Sequence, residues 1–153
     1  MASALEHLNV KDLTKEELEA ATECERQLAD LEFIPSIDGH DVCDDPTRLG
    51  IASEAFYKKF NPWSKVCSSK SVINSGLTFA SHQMGGKNIR LQAFRFDKRS
   101  KLPMYGGSML FIPTVITGSP TIAGQALKVG SYVELTSDVM VEPRVWCLVF
   151  RAN

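Results

Sequence analysis

The densest group of metal-capable side chains in this 153-residue chain lies in one short segment. His40 and Asp41 open it, and Cys43, Asp44 and Asp45 follow. A structural zinc site needs four ligands, usually in two spaced pairs, and the sequence has no second pair of ligands to complete a site with His40 and Cys43. A calcium loop also fails, because its alternating acidic positions and closing glutamate are absent. We therefore expect no metal and no other cofactor, and interpret the segment as a polar loop that caps a helix.

A second candidate for chemistry is Lys87, which follows two glycines as in a phosphate-binding loop. That loop requires glycine at position 81 and serine or threonine at position 88, where this chain has Ser81 and Asn88. We expect a hairpin turn with the lysine in solvent.

Nucleophilic catalysis would need a cysteine or serine beside a base. Cys43, Cys67 and His82 are far apart in the sequence, and no Gly-x-Ser-x-Gly elbow occurs. We expect a non-enzymatic protein with no evident small-molecule substrate. A small enzyme using His40, Cys43 or His82 is the third alternative.

The strongest functional pattern is the charge distribution. Residues 1–57 carry fourteen acidic and four basic side chains, a net charge of −10, whereas residues 58–102 carry ten basic and one acidic, a net charge of +9. Residues 103–153 carry three of each, so the total is −1. Two opposite fields predict a partner for each half: another copy of the chain, RNA, or an anionic lipid surface. The alternative is neutralisation within one molecule.

The predicted nucleic-acid or anionic-surface site consists of the ten basic residues of this central segment. On the predicted strand 88–97, Phe94 and Phe96 could be exposed beside Arg90 as a stacking surface for single-stranded nucleic acid. Alternatively, a bulge near Phe94 re-aims them, because alternation puts Arg95 on the apolar face. The ten residues are Lys58, Lys59, Lys65, Lys70, Lys87, Arg90, Arg95, Lys98, Arg99 and Lys101.

Two helices are predicted in the N-terminal third. Thr14 and Glu17 form a capping box with Leu13 and Leu18 as a hydrophobic staple, and apolar residues then recur at steps of three and four as far as Leu31. The second helix has Asp45 as N-cap and Pro46 at its first position, and it runs to about residue 60, where Asn61-Pro62 ends it. Its predicted inward residues are Leu49, Ala52, Phe56 and Phe60.

After residue 63 the pattern changes to short runs rich in β-branched and aromatic residues, separated by Gly, Pro, Ser and Asn. Helices first and strands afterwards is an α+β order. We predict two N-terminal helices packed on an antiparallel β-sheet, a sandwich or partial barrel of about six strands. The predicted strands are 66–73, 77–82, 88–96, 109–116, 130–136 and 145–151.

The length fits one domain. We expect a flexible N-terminal arm at 1–12 and a single α+β domain at 13–153, helical over 13–62 and β-rich over 63–153. Residues 109–112 and 145–150 are apolar on both faces, so each strand needs cover from the fold or from a second subunit. The predicted self-association residues are Leu18, Leu28, Leu31, Phe111, Trp146 and Phe150.

No stretch approaches the ~18 apolar residues needed to span a bilayer, and the first residues lack the pattern of a secretory signal. Four cysteines (24, 43, 67 and 147) show no pairing rhythm, which favours reduced thiols. We therefore predict a cytoplasmic protein, neither secreted nor transmembrane.

In general design the chain resembles small structural proteins of RNA viruses, of the matrix, coat or plant-virus movement type. The likeness covers residues 63–153: a compact β domain with Gly/Ser/Pro/Thr-rich turns and a basic surface, behind an N-terminal helical region. The segment 94–99 is locally similar to movement proteins, because its strand ends in an aspartate, Asp97. The acidic N-terminal region departs from coat proteins of this size, and the budding motifs Pro-Pro-x-Tyr and Pro-Thr/Ser-Ala-Pro are missing.

The resemblance implies a non-enzymatic, self-assembling structural protein of the host cytoplasm or the virion, a homo-oligomer that binds RNA or an anionic membrane through its central basic region. The alternative interpretation is a cytoplasmic protein-binding module whose charges pair within the molecule.

Overall fold

The computed structural model describes residues 10–43, 46–62, 89–103 and 108–152. Strands account for 43% of the structure and helices for 27%, so the protein is mostly β. The helices are α1 (Lys15–Gln27) and α2 (Pro46–Phe60), and a 3-10 turn (Leu28–Asp30) follows α1. The strands are β1 (Val10–Asp12), β2 (Ile34–Pro35), β3 (Asp41–Cys43), β4 (Ile89–Phe96), β5 (Ser100–Leu102), β6 (Ser108–Ile116), β7 (Thr121–Ile122), β8 (Gln125–Ala126), β9 (Ser131–Leu135), β10 (Val139–Val141) and β11 (Val145–Ala152).

The described strands form two antiparallel sheets. The large sheet has seven strands in the order β1-β9-β6-β11-β4-β3-β2, and the small sheet has four in the order β5-β10-β7-β8. Phe56 and Phe60 of α2 pack on Phe150 of the large sheet, and α1 shares that core. The small sheet contributes Leu102 and Ile122 to a second core on the opposite face. The large sheet is therefore the middle layer, with helices on one face and the small sheet on the other.

This layering explains the strands that are apolar on both faces. On β11, Leu148 and Phe150 lie in the core beneath the helices, whereas Cys147 and Val149 lie in the core between the sheets. All four are completely buried. Burial of a large apolar side chain contributes roughly 1.5–3 kcal/mol, so both layers are needed for stability. The sequence requires both faces of these strands to be covered, and the helices and the small sheet of the same molecule cover them.

The predicted start of α1 is confirmed. The Glu17 backbone N–H donates to Thr14 Oγ1 at 3.1 Å, and the Thr14 N–H donates to Glu17 Oε1 at 2.9 Å. These reciprocal bonds satisfy two N–H groups that the first turn leaves unpaired. The face that follows buries Ala21, Cys24 and Leu28 against the large sheet.

The predicted limits of α2 are also confirmed, from Pro46 to Phe60, while Asp45 lies outside the described residues. Asn61 has a φ of 50°, and its N–H donates to the Tyr57 carbonyl at 2.9 Å. Asparagine tolerates this left-handed conformation better than most residues, which ends the helix. The four residues predicted to face inward are buried: Leu49, Ala52, Phe56 and Phe60.

The predicted fold class is wrong. It placed two helices on one antiparallel arrangement of about six strands, whereas the described residues form a mostly β protein with a seven-stranded and a four-stranded sheet. Four predicted strands correspond to β4, β6, β9 and β11, and those at 66–73 and 77–82 lie outside the described residues. The strands that the sequence did not indicate have two or three residues each. Such lengths are too short to show the alternation that marks a strand.

The region predicted to be an arm and helices also contains strands. Residues 10–12 form β1 and pair with β9, and β2 pairs with β3 between the two helices. Residues 1–9 of the predicted arm lie outside the described residues. The division into an arm and one domain stays a prediction.

One irregularity interrupts the centre of the large sheet. Trp146 pairs with Val115, but the next residue, Cys147, pairs with Pro113. Thr114 is therefore the extra residue of a β-bulge. Proline has no N–H to donate to the ladder and is tolerated in strands mainly at edges and bulges, which explains the register shift at Pro113.

Candidate functional site

The described basic residues of the central segment do not form one patch. Lys58 and Lys59 lie at the end of α2, next to Phe60, whose ring stacks on Phe150. Phe150 pairs with Leu91, near the start of β4. This places the first basic pair at one end of the large sheet.

The second basic group follows the other end of β4. Lys98, Arg99 and Lys101 come directly after Asp97, six residues beyond Leu91. Because a strand rises about 3.3 Å per residue, Leu91 and Asp97 are roughly 20 Å apart along β4, so the two groups lie toward opposite ends of this strand. Arg90 lies near the start of β4, and Lys65, Lys70 and Lys87 lie outside the described residues.

The second group is neutralised within the molecule. Strand β5 pairs with β10, which brings acidic residues of the C-terminal region beside it. The partners are Arg99 Nε and Glu142 Oε2 at 2.7 Å, Lys101 Nζ and Asp138 Oδ2 at 3.8 Å, and Arg144 Nε and Asp97 Oδ1 at 3.2 Å.

These exposed pairs each contribute little to stability, about 0–1 kcal/mol, but they cancel most of the local field. Counted with Lys98, four basic and three acidic groups remain, a net charge of +1. The acids that pair with Arg99 and Lys101 come from the C-terminal region, whereas the sequence suggested the acidic N-terminal third.

Arg95 is separated from both groups and faces the helices. Its guanidinium carbon lies 3.8 Å from the centroid of the Phe33 ring and 4.0 Å from that of Trp146. Its Nη2 atom lies 3.9 Å from Glu25 Oε2, and the Arg95 and Glu25 side chains are 19% and 12% exposed. Arg95 Nε is buried without a hydrogen-bond partner among the described residues. The acidic helix α1 and the basic strand β4 meet at this Arg95–Glu25 contact. Arg95 is therefore mostly enclosed by the fold, and little of its side chain is open to a ligand.

The bulge on β6 completes this cluster. Thr114 Oγ1 lies 2.7 Å from Glu25 Oε1 and 3.0 Å from the Trp146 carbonyl oxygen. A hydroxyl has one hydrogen, so it donates to one of these acceptors at a time. Burial raises the pKa of Glu25, while the Thr114 hydrogen bond and the Arg95 charge act in the opposite direction. The dominant effect on this carboxyl is the loss of water.

The predicted aromatic stacking surface is wrong. Phe94 and Phe96 are 3% and 0% exposed and lie in the core between the sheets. The pairing of β4 with β11 runs without a shift from Ile89 to Phe96, so no bulge re-aims them. Neither phenylalanine can stack on a base of a bound nucleic acid, because the small sheet covers the face of β4 that carries them.

His40 is also internal. Its ring centroid lies 5.0 Å from that of Phe94 and 4.8 Å from that of Phe96, on the face covered by the small sheet. Cys43 lies in the core beneath the helices, on the opposite face. The two side chains therefore cannot meet at one metal or as a nucleophile and its base. His82 and Cys67 lie outside the described residues, and no metal-holding group of three His, Cys, Asp or Glu occurs within the described ranges.

The described thiols are poorly suited to nucleophilic chemistry. Cys24, Cys43 and Cys147 are free and buried. Burial raises the pKa of Cys24 to about 12 and that of Cys147 well above its usual range. The reactive thiolate form is therefore scarce at neutral pH.

Three of the predicted self-association residues, Leu28, Phe111 and Phe150, are fully buried in the monomer. The other three, Leu18, Leu31 and Trp146, are half-buried, and Trp146 packs on the Arg95 guanidinium. Association through the three buried residues would require the core to open.

A feature that sequence reasoning missed is a groove of about 340 Å³ between the end of α1 and the outer face of α2. One residue of α1, Gln27, lines it together with six residues of α2: Ile51, Ala52, Glu54, Ala55, Lys58 and Lys59. Ile51 is 71% exposed, although it is a large apolar side chain in the middle of a helix. The available signal was that position 51 falls outside the inward pattern of α2.

No protein-family model matches this chain, and no curated protein matches its sequence. None of the helices within the described residues is long and apolar enough to cross a membrane. Support for a function therefore comes from the geometry of the surface.

Proposed function

We propose that this protein is a non-enzymatic protein-binding module of the cytoplasm, whose basic segment is largely neutralised within the molecule. The observation that carries the proposal is the set of ion pairs that joins the β4–β5 turn and β5 to Asp138, Glu142 and Arg144 around β10. Proteins that bind nucleic acid non-specifically do so through unneutralised lysines and arginines. The free, buried thiols support a reducing compartment.

The test is charge reversal at the second basic group. A variant carrying Lys98→Glu, Arg99→Glu and Lys101→Glu loses two ion pairs and places new negative charge beside Glu142 and Asp138. We expect Tm to fall by a few degrees, about 2–4 °C per kcal/mol lost. We expect affinity for a single-stranded RNA, measured by fluorescence anisotropy at low salt, to be weak and unchanged. Tight RNA binding that the variant abolishes would contradict the proposal.

A second candidate is the self-assembling structural protein of matrix or coat type, which binds RNA or an anionic membrane. The observation that favours it is the position of Lys58 and Lys59 beside the exposed Ile51, because cationic and apolar side chains together attract anionic lipid surfaces.

Light scattering after size exclusion, at low and high salt and with the ratio of absorbance at 260 and 280 nm recorded, separates the candidates. Large particles that carry nucleic acid and shrink at high salt support the structural protein. A monomer that is insensitive to salt supports the binding module.

A further inference from the structure

The outer face of α2 carries a single stripe of side chains that is apolar at its N-terminal end and cationic at its C-terminal end. Ile51, Ala55, Lys58 and Lys59 are spaced i, i+4, i+7 and i+8, which places them on one side of a helix. The opposite side of α2 already packs on the large sheet through Phe56 and Phe60. The stripe therefore belongs to no core of the described fold, and Gln27 of α1 borders it.

The charge on this stripe is only partly compensated. Lys58 Nζ lies 3.5 Å from Glu54 Oε2, but both side chains are strongly exposed, and such a pair contributes little. Lys59 has no acidic group within 4.0 Å among the described residues. The three groups together carry a net charge of +1, so the cationic end of the stripe can accept further negative charge.

We propose that the groove between α1 and α2 binds an acidic amphipathic helix of a partner protein. An apolar side chain of the partner would lie against Ile51 and Ala55, where the small alanine allows close approach of the two helices. Its carboxylates would meet Lys58 and Lys59. Those lysines lie seven and eight residues beyond Ile51, so the partner's acidic groups must lie about 10–12 Å, two helical turns, from its apolar anchor.

The shape and chemistry of the groove favour this occupant over the others. The site is a shallow, open groove of about 340 Å³, which suits a helix that lies along it with one face. RNA would use the lysines but would leave Ile51 without an apolar partner. A second copy of the chain fits poorly through α1, since no large apolar residue of α1 is among the exposed ones.

A designed helical peptide tests the inference. It would have about 15 residues on an alanine-rich background, with Leu at i and i+4 and Glu at i+7 and i+8, labelled for fluorescence anisotropy. A matched peptide carries Lys in place of Glu, and a second carries Ser in place of Leu. We expect binding of the acidic peptide in the micromolar range, at least tenfold tighter than either matched peptide.

Variants of the protein then locate the site. Ile51→Asp and Lys59→Glu should each weaken binding of the acidic peptide about tenfold or more, whereas Lys98→Glu, in the other basic group, should not. Binding of the Lys-bearing peptide should rise in Lys59→Glu. This charge-swap rescue cannot result from unfolding of the variant, which circular dichroism checks independently.

Three results would overturn the inference: equal binding of the acidic and Lys-bearing peptides, equal weakening by Lys98→Glu and Lys59→Glu, or unchanged binding in Ile51→Asp. Competition for the groove by anionic vesicles or single-stranded RNA at higher affinity than the peptide would overturn it too, as would a dimer that buries Ile51. The inference rests on the proposed binding role but alters different residues from the charge-reversal test, so the two can fail separately.

Discussion

The imidazole Nδ1 of His40 lies 2.8 Å from the hydroxyl oxygen of Ser100, a residue 60 positions later in the chain. Ser100 Oγ in turn lies 2.8 Å from the Asp38 carbonyl oxygen, to which it donates, so the imidazole donates its Nδ1 proton to the serine. This contact joins the β2–β3 hairpin at an edge of the large sheet to β5 at an edge of the small one. The neutral ring is part of the junction between the sheets.

We expect acidification to destabilise that junction. Burial lowers the pKa of His40 below its ordinary value of 6.5, an effect that Asp38 and Asp41 oppose and Arg151 reinforces. The unfolded chain therefore binds more protons than the folded protein as the pH falls below about 6.5, and the contribution of His40 to stability decreases over that interval. Urea unfolding between about pH 7.5 and 5 measures the change.

His40→Gln keeps an N–H donor near Ser100 and removes the titration. Its free energy of unfolding should depend less steeply on pH than that of the wild type. The same slope in His40→Gln and wild type would show that the contribution of His40 is wrongly assigned.

The contribution of Glu25 to stability should change with pH in the opposite direction to that of His40. Burial raises its pKa above the ordinary value of 4.5, so the folded protein binds more protons than the unfolded chain above that pH. Its contribution to stability is present below about pH 4.5 and is lost as the pH rises through the folded pKa. Glu25→Gln should therefore be at least as stable as the wild type at pH 7.5, with a difference that shrinks toward pH 4.5.

Glu23→Gln is a matched control on the same helix. The hydrogen bond from Arg26 lowers the pKa of Glu23 to about 2 from an ordinary value of 4.5, so above about pH 5.5 this carboxyl is charged in both the folded and the unfolded chain. Glu23→Gln should leave the slope unchanged between about pH 7.5 and 5.5 in the same unfolding series. A slope altered equally by both substitutions would contradict the role given to burial.

Arg95→Met should be the most costly of the substitutions considered. It removes contacts with the Phe33 and Trp146 rings and leaves Glu25 without its nearby positive charge. We expect a loss of about 2–3 kcal/mol in the free energy of unfolding, since each desolvated cation–π contact contributes up to about 2 kcal/mol and the pair is partly exposed. Arg95→Lys keeps the charge but not the flat stacking group, so it should cost less. A cost below about 0.5 kcal/mol for Arg95→Met would refute this account.

Thr14→Ala should lower the stability of α1 locally. The substitution leaves the Glu17 N–H without its acceptor at 3.1 Å. Loss of an N-cap side chain costs about 1 kcal/mol, which corresponds to a decrease of about 2–4 °C in Tm for a chain of this size. Thr22→Ala, at an exposed position of the same helix, should stay within about 0.5 kcal/mol of the wild type in the same thermal scan.

Local signals predicted the helices well. The bonds between Thr14 and Glu17 involve residues three apart, and the end of α2 depends on Asn61 and Pro62 alone. The small sheet had no such signal. Its strands have two or three residues, and what holds them is pairing across long intervals, such as Val139 with Leu102.

The candidate sites show the same division. Alternation puts Arg95 on the same face of β4 as Ala93, yet we predicted it as a binding residue, because its contacts with Glu25 and Phe33 depend on where α1 and the chain after it cross the sheet. The charge runs were visible in the sequence, yet the sheet pairing decided that Lys101 meets Asp138. Ile51 could have been noticed, because an isoleucine outside the buried stripe of an amphipathic helix needs an explanation.

The position of β11 has a consequence for how the protein is made. It lies between β4 and β6, which do not pair with each other, so β1-β9-β6 and β4-β3-β2 are two separate halves until β11 joins them. Residues 145–152 leave the ribosome after the other described strands of the large sheet. The nascent chain therefore carries the unpaired edges of β4 and β6 until β11 has been made, and it is exposed to aggregation in that interval. The sheet closes only after translation has passed residue 152, and a ribosome stalled before β11 would hold a chain that proteases cut readily.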